Sequence, residues 1–310
     1  MNELSQISKR LRILLTVAAL LLVSCGGGGG GDVGSDVRST GGDSPGGNSG
    51  TVPAPTAAPA STDPAASASA SQCPEHFALA TPPAITRTSL QAQTRELCYE
   101  AFAVLHSGVS RTPVYAAEHL TRAGLASAAT LDRVDSFHAE GALPANERAE
   151  LADYVRSGYD RGHMAPNADM PTRTAQAQSF TLANMVPQLH SNNAGIWSGM
   201  EDVARRLATN EGEVYVVSGP AFLGSEVKQI GGRVLVPTHL WKVIYRPATQ
   251  EAGAYVIRND DMTTYQVLSI TALAQAVGVD VLPSLPAVVR ETPMSLPRPT
   301  SNAMLVTQLP

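Results

Sequence analysis

The chain has 310 residues, 43% of them hydrophobic and 5% aromatic, and a formal net charge of −5. That balance excludes a globally basic nucleic-acid binder, because net charge sets non-specific attraction to a polyanion, but it leaves room for a local basic cleft. Composition also removes the first quarter of the chain from the foldable part, so one sizeable domain is expected.

At the N-terminus, Lys9, Arg10 and Arg12 precede an apolar run over 13–23 and then Ser24-Cys25. This pattern predicts an export signal over 1–24, too short for the roughly 20 apolar residues of a membrane-spanning helix. Leu22-Val23-Ser24-Cys25 resembles a bacterial lipoprotein cleavage box, which makes Cys25 the expected lipidation site; an ordinary cleaved signal is the alternative. Losing 1–24, which carries Lys9, Arg10 and Arg12 against Glu3, leaves the remainder at −7. Residues 26–71 are nearly all Gly, Ser, Ala, Pro, Thr and Asp. Such a segment cannot bury enough apolar surface to offset its ordering entropy, so 25–72 is expected to be a disordered, lipid-anchored linker. The expected location is a bacterial membrane, the outer one by preference, with the domain in the periplasm or outside the cell.

The folded domain is expected over 73–290. Cys73 and Cys98 form an even pair in an exported chain and are expected to be disulfide-bonded, with two buried free thiols as the alternative. Leu90, Leu97, Ala101 and Leu105 have helical spacing and predict a helix over 88–105. A strand is predicted over 114–120, a long loop over 135–150 and a helical turn over 149–155. Ser157-Gly158-Tyr159 then leads into Asp160-Arg161-Gly162-His163, where Gly162 permits close backbone approach. Ile196, Met200, Val203 and Leu207 predict a helix over 193–207. Apolar, β-branched runs over 213–218, 234–236, 240–245 and 254–257 predict strands of a largely antiparallel sheet. A short helix over 269–277 follows, and the Pro-rich sequence from Pro283 reads as loose, with a C-terminal tail over 291–310.

Asp160-Arg161-Gly162-His163, followed thirty positions later by Asn193 and then Glu201, supplies the parts of a one-metal phosphodiester-cleaving site. Neutral His163 can take a proton from an attacking water, with Asp160 or a carbonyl to fix its tautomer. Magnesium prefers oxygen ligands and retains several waters, so one amide oxygen from Asn193 suffices when phosphate completes the shell. Helical positions eight apart lie about 80° apart, so Asn193 and Glu201 share a side and Glu201 can orient a water there. Arg205, four residues on, can hold Glu201 or reach a phosphate; a surface salt bridge is the competing reading. Asn192 is the neighbouring alternative to Asn193, and the spacing to Gly195-Ile196-Trp197 and Glu201 favours Asn193. Trp197 reads as core, with a base-stacking platform as the alternative; Asp169 reads as a turn or cap, with the metal's outer shell as the alternative; His190 and His239 have no assigned role.

These segments resemble the DNA/RNA non-specific endonucleases of the ββα-metal superfamily. The resemblance rests on Tyr159-Asp160-Arg161-Gly162-His163-Met164-Ala165-Pro166, on Ser179-Phe180-Thr181-Leu182-Ala183-Asn184-Met185-Val186-Pro187-Gln188, and on Asn193-Ala194-Gly195-Ile196-Trp197 with Glu201. Val217-Ser218-Gly219-Pro220, Val236-Pro237-Thr238-His239-Leu240-Trp241-Lys242 and Ile270-Thr271-Ala272-Leu273 keep the same order. The resemblance implies an α+β fold, with a central antiparallel sheet flanked by helices and a ββ-hairpin and helix carrying the site. It implies His163 as general base, Asn193 as the direct magnesium ligand, with manganese as a substitute, and Glu201 acting on metal-associated water. Arg161, Arg205 and Asn184 would contact phosphate or support the site, and Arg133 is the candidate for a further upstream arginine. The implied activity is sequence-non-specific hydrolysis of DNA and RNA, leaving 5′-phosphate ends. A catalytically inactive nucleic-acid-binding surface lipoprotein is the alternative, and nothing in the sequence supports a homodimer or an inhibitor partner.

Overall fold

The β-branched runs of the C-terminal half become strands of one large sheet, and the helices are laid on its two faces. The computed structural model describes residues 71–308; the expected signal, the lipidation of Cys25 and the linker up to residue 70 lie outside the described residues. In chain order, β1 (Ala84–Ile85), β2 (Thr94–Cys98), β3 (Phe102–Ser107) and β4 (Thr112–Thr121) precede α1 (Arg122–Ala128) and α2 (Leu151–Tyr154). Next come β5 (Asp160–His163), α3 (Arg173–Ser179), β6 (Met185–Gln188), α4 (His190–Asn192) and α5 (Ser198–Glu211). The last part comprises β7 (Glu213–Ala221), β8 (Gln229–Ile230), β9 (Val234–Leu235), β10 (His239–Arg246), β11 (Glu251–Arg258), β12 (Thr264–Leu268), α6 (Ile270–Val277), β13 (Val279–Asp280), α7 (Ala287–Glu291) and β14 (Met304–Leu305).

The main sheet has eight strands in the order β14-β12-β11-β10-β7-β4-β3-β2. Every pairing is antiparallel except β12–β14, so the expected antiparallel sheet is mixed at one edge. Side chains alternate across it with period two. On β10, Leu240 and Ile244 join the core that contains Met200, Val203 and Ala204 of α5, whereas Trp241, Val243 and Tyr245 join the opposite core with Ile270 and Leu273 of α6. Each such fully buried aliphatic side chain contributes about 1.5–3 kcal/mol.

Two expectations are corrected. The helix predicted over 88–105 is absent: a short helical turn at Thr88–Leu90 is followed by the β2–β3 hairpin. Phe102 and Val104 face one core and Ala103 the other, so β3 is buried on both sides and shows no period-two alternation to set against the helical spacing. The C-terminal segment is not loose. Val289, Met294, Leu296 and Ala303 are buried, β14 pairs with β12, and a Cβ added to Gly199 of α5 would lie 2.5 Å from Pro299 O. The expected disulfide is present, joining Cys73 to Cys98 across a Cα–Cα distance of 5.8 Å.

Candidate active site

β5 and β6 form an antiparallel hairpin with Gly162 opposite Val186 and His163 opposite Met185, and the helical segment beginning at His190 follows directly. Gly162 is required by packing, because an added Cβ would collide with the Gln188 side chain. His163 ends β5 with its ring against Phe137 and Phe180, at centroid distances of 5.8 and 5.2 Å. Burial, with Arg133 and Arg161 adding to it against the opposing charge of Asp135, lowers its pKa to about 3. The imidazole is therefore neutral near pH 7, and its buried Nε2 has no hydrogen-bond partner among the described residues. Trp197, fully buried as expected, donates from Nε1 to His163 O at 3.1 Å and ties the hairpin to the helix.

Asn193 begins a π-helical turn, Asn193–Trp197, between α4 and α5, and Gly195 departs from helical dihedrals within it. Such turns often mark functional positions. Asn193 Nδ2 donates to Asp160 Oδ2 at 3.0 Å, leaving the amide oxygen available as a hard ligand. The same carboxylate oxygen lies 2.9 Å from His190 Nδ1, so Asp160 orients Asn193 and His190 rather than His163. Asn192 is buried with both ends of its amide engaged, by Gln188 Nε2 and by Arg258 O, which separates the two neighbouring asparagines. Among the described residues, Cys73, Glu96 and Cys98 make the one cluster of three His, Cys or acidic ligands, and its two sulfurs are joined in the disulfide. The cleft's donors are oxygens, which suit a hard cation.

A cleft of about 280 Å³ is lined by Arg133, Asp135, Phe137, Asp160, Arg161 and Asn193, together with Tyr154 and Tyr159. Arg161 stacks its guanidinium 4.0 Å over the Phe137 ring, and its Nε has no hydrogen-bond partner among the described residues. Arg133 lies 5.1 Å over Phe180 and donates from Nε to Asp135 Oδ1 at 2.6 Å. The structure thus gathers Arg133, Arg161 and Asn193 at one cleft, with His163 packed behind Phe137.

The other expected residues lie elsewhere. Asn184 is fully buried, donating to Ala165 O and Ser179 O and accepting from Ala165 N at 2.8–2.9 Å, so its amide holds the segment after His163 and is closed to phosphate. Arg205 donates to Asp169 at 2.8 Å and to Asp202 at 2.6 Å, not to Glu201 as its spacing suggested. Asp169 ends the helical turn Asn167–Asp169, as expected of a turn residue, and is also the buried ion-pair partner of Arg205. Burial raises the Glu201 carboxyl to about 7, against the opposing charges of Lys242 and Arg205.

Sequence reasoning missed Glu118 and Lys242, each 1% exposed on the sheet face beneath α5. Lys242 Nζ donates to Ser218 Oγ at 2.6 Å and lies 4.5 Å over the Trp197 ring. Burial pulls its ammonium pKa down while Glu201 and Glu118 hold it up. Glu118 is raised well above the usual carboxylate range by burial, and its Oε2 has no partner among the described residues. The available signal was a single charge inside each of two apolar strand runs.

A family model described as DNA/RNA non-specific endonuclease matches residues 81–288. The chain is 34% identical over 171 residues to a nuclease of Nostoc, covering 54% of this chain and 61% of that one. It is 36% identical over 180 residues to nuclease C1 of Cunninghamella echinulata, covering 53% of this chain and 71% of the relative. It is 31% identical over 215 residues to human mitochondrial nuclease EXOG, covering 62% of this chain and 58% of the relative. The chain thus spans less than two thirds of the Nostoc and human proteins. A chain in the crystal structure of the EndoG/EndoGI complex superposes with a TM-score of 0.55 at 28% identity, covering 61% of this chain and 84% of that one.

Proposed function

The chain belongs to the DNA/RNA non-specific endonuclease family, and from that premise we propose that it is a metal-dependent endonuclease hydrolysing phosphodiester bonds of DNA and RNA without sequence preference. The observation carrying this reading is the convergence of Arg133, Arg161 and the free amide oxygen of Asn193 at one cleft, backed by a neutral histidine with an unpartnered Nε2. Asn193 would hold a magnesium ion, with manganese as a substitute. When bound, the ion polarises the phosphoryl oxygen and offsets charge on the departing 3′ oxygen.

Arg161 and Arg133 hold the phosphate through charge-assisted hydrogen bonds. His163 takes the proton of the attacking water, whose oxygen forms the new bond to phosphorus as the bond to O3′ breaks, so the product carries a 5′-phosphate. Glu201, outside the cleft lining but eight residues after Asn193, would act on a water between them once metal is bound, while Asn184 and Arg205 are supporting residues. Export and anchoring through Cys25 are proposed from the N-terminal pattern, and an inhibitory protein partner from the neighbouring complex.

The test is cleavage of supercoiled plasmid and single-stranded RNA, in magnesium or in chelator, by wild type, His163→Ala and Asn193→Ala. Cutting of both substrates that needs the metal and falls by about 10²–10⁴ in His163→Ala is expected. Metal-independent cutting, or full activity in His163→Ala, would overturn the assignment.

A further inference from the structure

The charged residues lining the cleft are Arg133 and Arg161 against Asp135 and Asp160, so a cleft read as phosphate-binding has no formal net charge of its own. Asp160 is engaged in orienting Asn193 and His190. Asp135 has no such task. It is 59% exposed beside Arg133, which is 56% exposed, and its Oδ1 accepts a hydrogen bond from Arg133 Nε at 2.6 Å. Backbone contacts keep the acid in place: Val134 N donates to Gln176 Oε1 at 3.2 Å, Arg173 holds Asp132 O, and Leu182 N donates to His138 O at 2.8 Å. Fixed at both ends, the segment holds Asp135 at the solvent-exposed rim of the cleft, beside Arg133.

We propose that Asp135 is an internal competitor for substrate: its carboxylate occupies on Arg133 the place of a nucleic-acid phosphate and must be displaced when a strand binds. The proposal rests on the nuclease reading of the cleft. A carboxylate and a phosphate offer a guanidinium the same planar pair of acceptors. Exchanging one for the other at an exposed site gains little, because exposed ion pairs are weak. A ligand with one phosphate is therefore held poorly, whereas a strand adds contacts to Arg161 and the release of its counterions. Asp135 lowers the affinity for every phosphate ligand, and the polymer can spare that loss. Short products, whose affinity is already small, leave.

The experiment uses the full chain in chelator, which prevents cutting, with a fluorescein-labelled 20-nucleotide DNA strand read by anisotropy and AMP as competitor. Asp135→Asn is expected to lower Kd for the strand about three- to tenfold in 50 mM salt and to lower the AMP inhibition constant by a similar factor. It should also steepen the logarithmic salt slope by about 0.7, one further phosphate contact on a single strand. In the Arg133→Gln/Asp135→Asn double variant the gain over Arg133→Gln should vanish. In magnesium, KM should fall without a rise in kcat. Unchanged or weaker binding by Asp135→Asn, or a gain that persists without Arg133, overturns the inference. If wild type fails to cut while Asp135→Asn still binds more tightly, the nuclease reading falls and the competitor role stands.

Discussion

Two groups of charges, one lining the cleft and one buried beneath α5, differ in almost every physical respect. At the cleft, Arg133 and Asp135 are more than half exposed and pair with each other in contact with water. Beneath α5, Glu118 and Lys242 are 1% exposed and Asp169 is 5% exposed, in a layer otherwise built from Val216, Leu240 and Ile244. The first group can exchange partners at small cost and so can bind a ligand. The second cannot lose a member without stranding a charge, so it serves to fix geometry. Glu201 and Arg205 are half-buried and electrostatically tied to the inner layer.

Lys242 is the member of the buried group whose loss should cost most. Lys242→Met leaves Glu118, Asp169 and Glu201 with Arg205 as their remaining buried cation, and a loss of about 3–5 kcal/mol in urea unfolding is expected. Adding Glu118→Gln to Lys242→Met removes one buried titratable carboxyl and should recover part of that loss. A cost below about 1 kcal/mol for Lys242→Met would mean that the inner layer behaves like the cleft.

Glu201 sharpens the contrast through pH. Its carboxyl is raised from 4.5 to about 7, so the folded state binds the proton more tightly than the unfolded state. The resulting stabilisation is complete below pH 4.5 and is lost as pH rises through 7. In chelator, wild type should lose up to about 3 kcal/mol relative to Glu201→Gln between pH 4.5 and 7.5, measured by denaturant unfolding. A flat difference would place Glu201 with the water-exposed group.

Gly162→Ala acts on the hairpin joining the two regions, where the new methyl collides with Gln188. An overpacking cost of about 1–3 kcal/mol is expected, together with loss of plasmid cutting because His163 is the next residue. Arg133→Gln marks the other extreme: stability within about 0.5 kcal/mol of wild type in the same unfolding assay, with weaker strand binding by anisotropy. A large stability loss there would show that the cleft arginine is structural.

Much of this division is invisible along the chain. Arg161, His163 and Asn193 were legible because Gly162 and the asparagine-bearing helix are local features. Helical spacing leaves Arg205 open to Glu201, a phosphate or a surface salt bridge, and of its two partners Asp202 is on the same helix while Asp169 comes from another element. Glu118 and Lys242 were overlooked because each is one charge in an apolar strand. They share a sheet face only through the register that sets Ala116 against Ser218 and Ser218 against Lys242.

By itself the sequence determined the chemistry-bearing residue types, the helix after Asn193 and most of the β-rich second half, because those depend on short-range pattern and turn residues, while the site hairpin was implied by the family resemblance. The tertiary structure alone decided that 94–107 forms a hairpin, that 289–305 packs onto the domain, and which charges meet water. The reason is dielectric and topological: a carboxylate's behaviour depends on burial and on neighbours from distant strands, and strand pairing, not sequence separation, sets both.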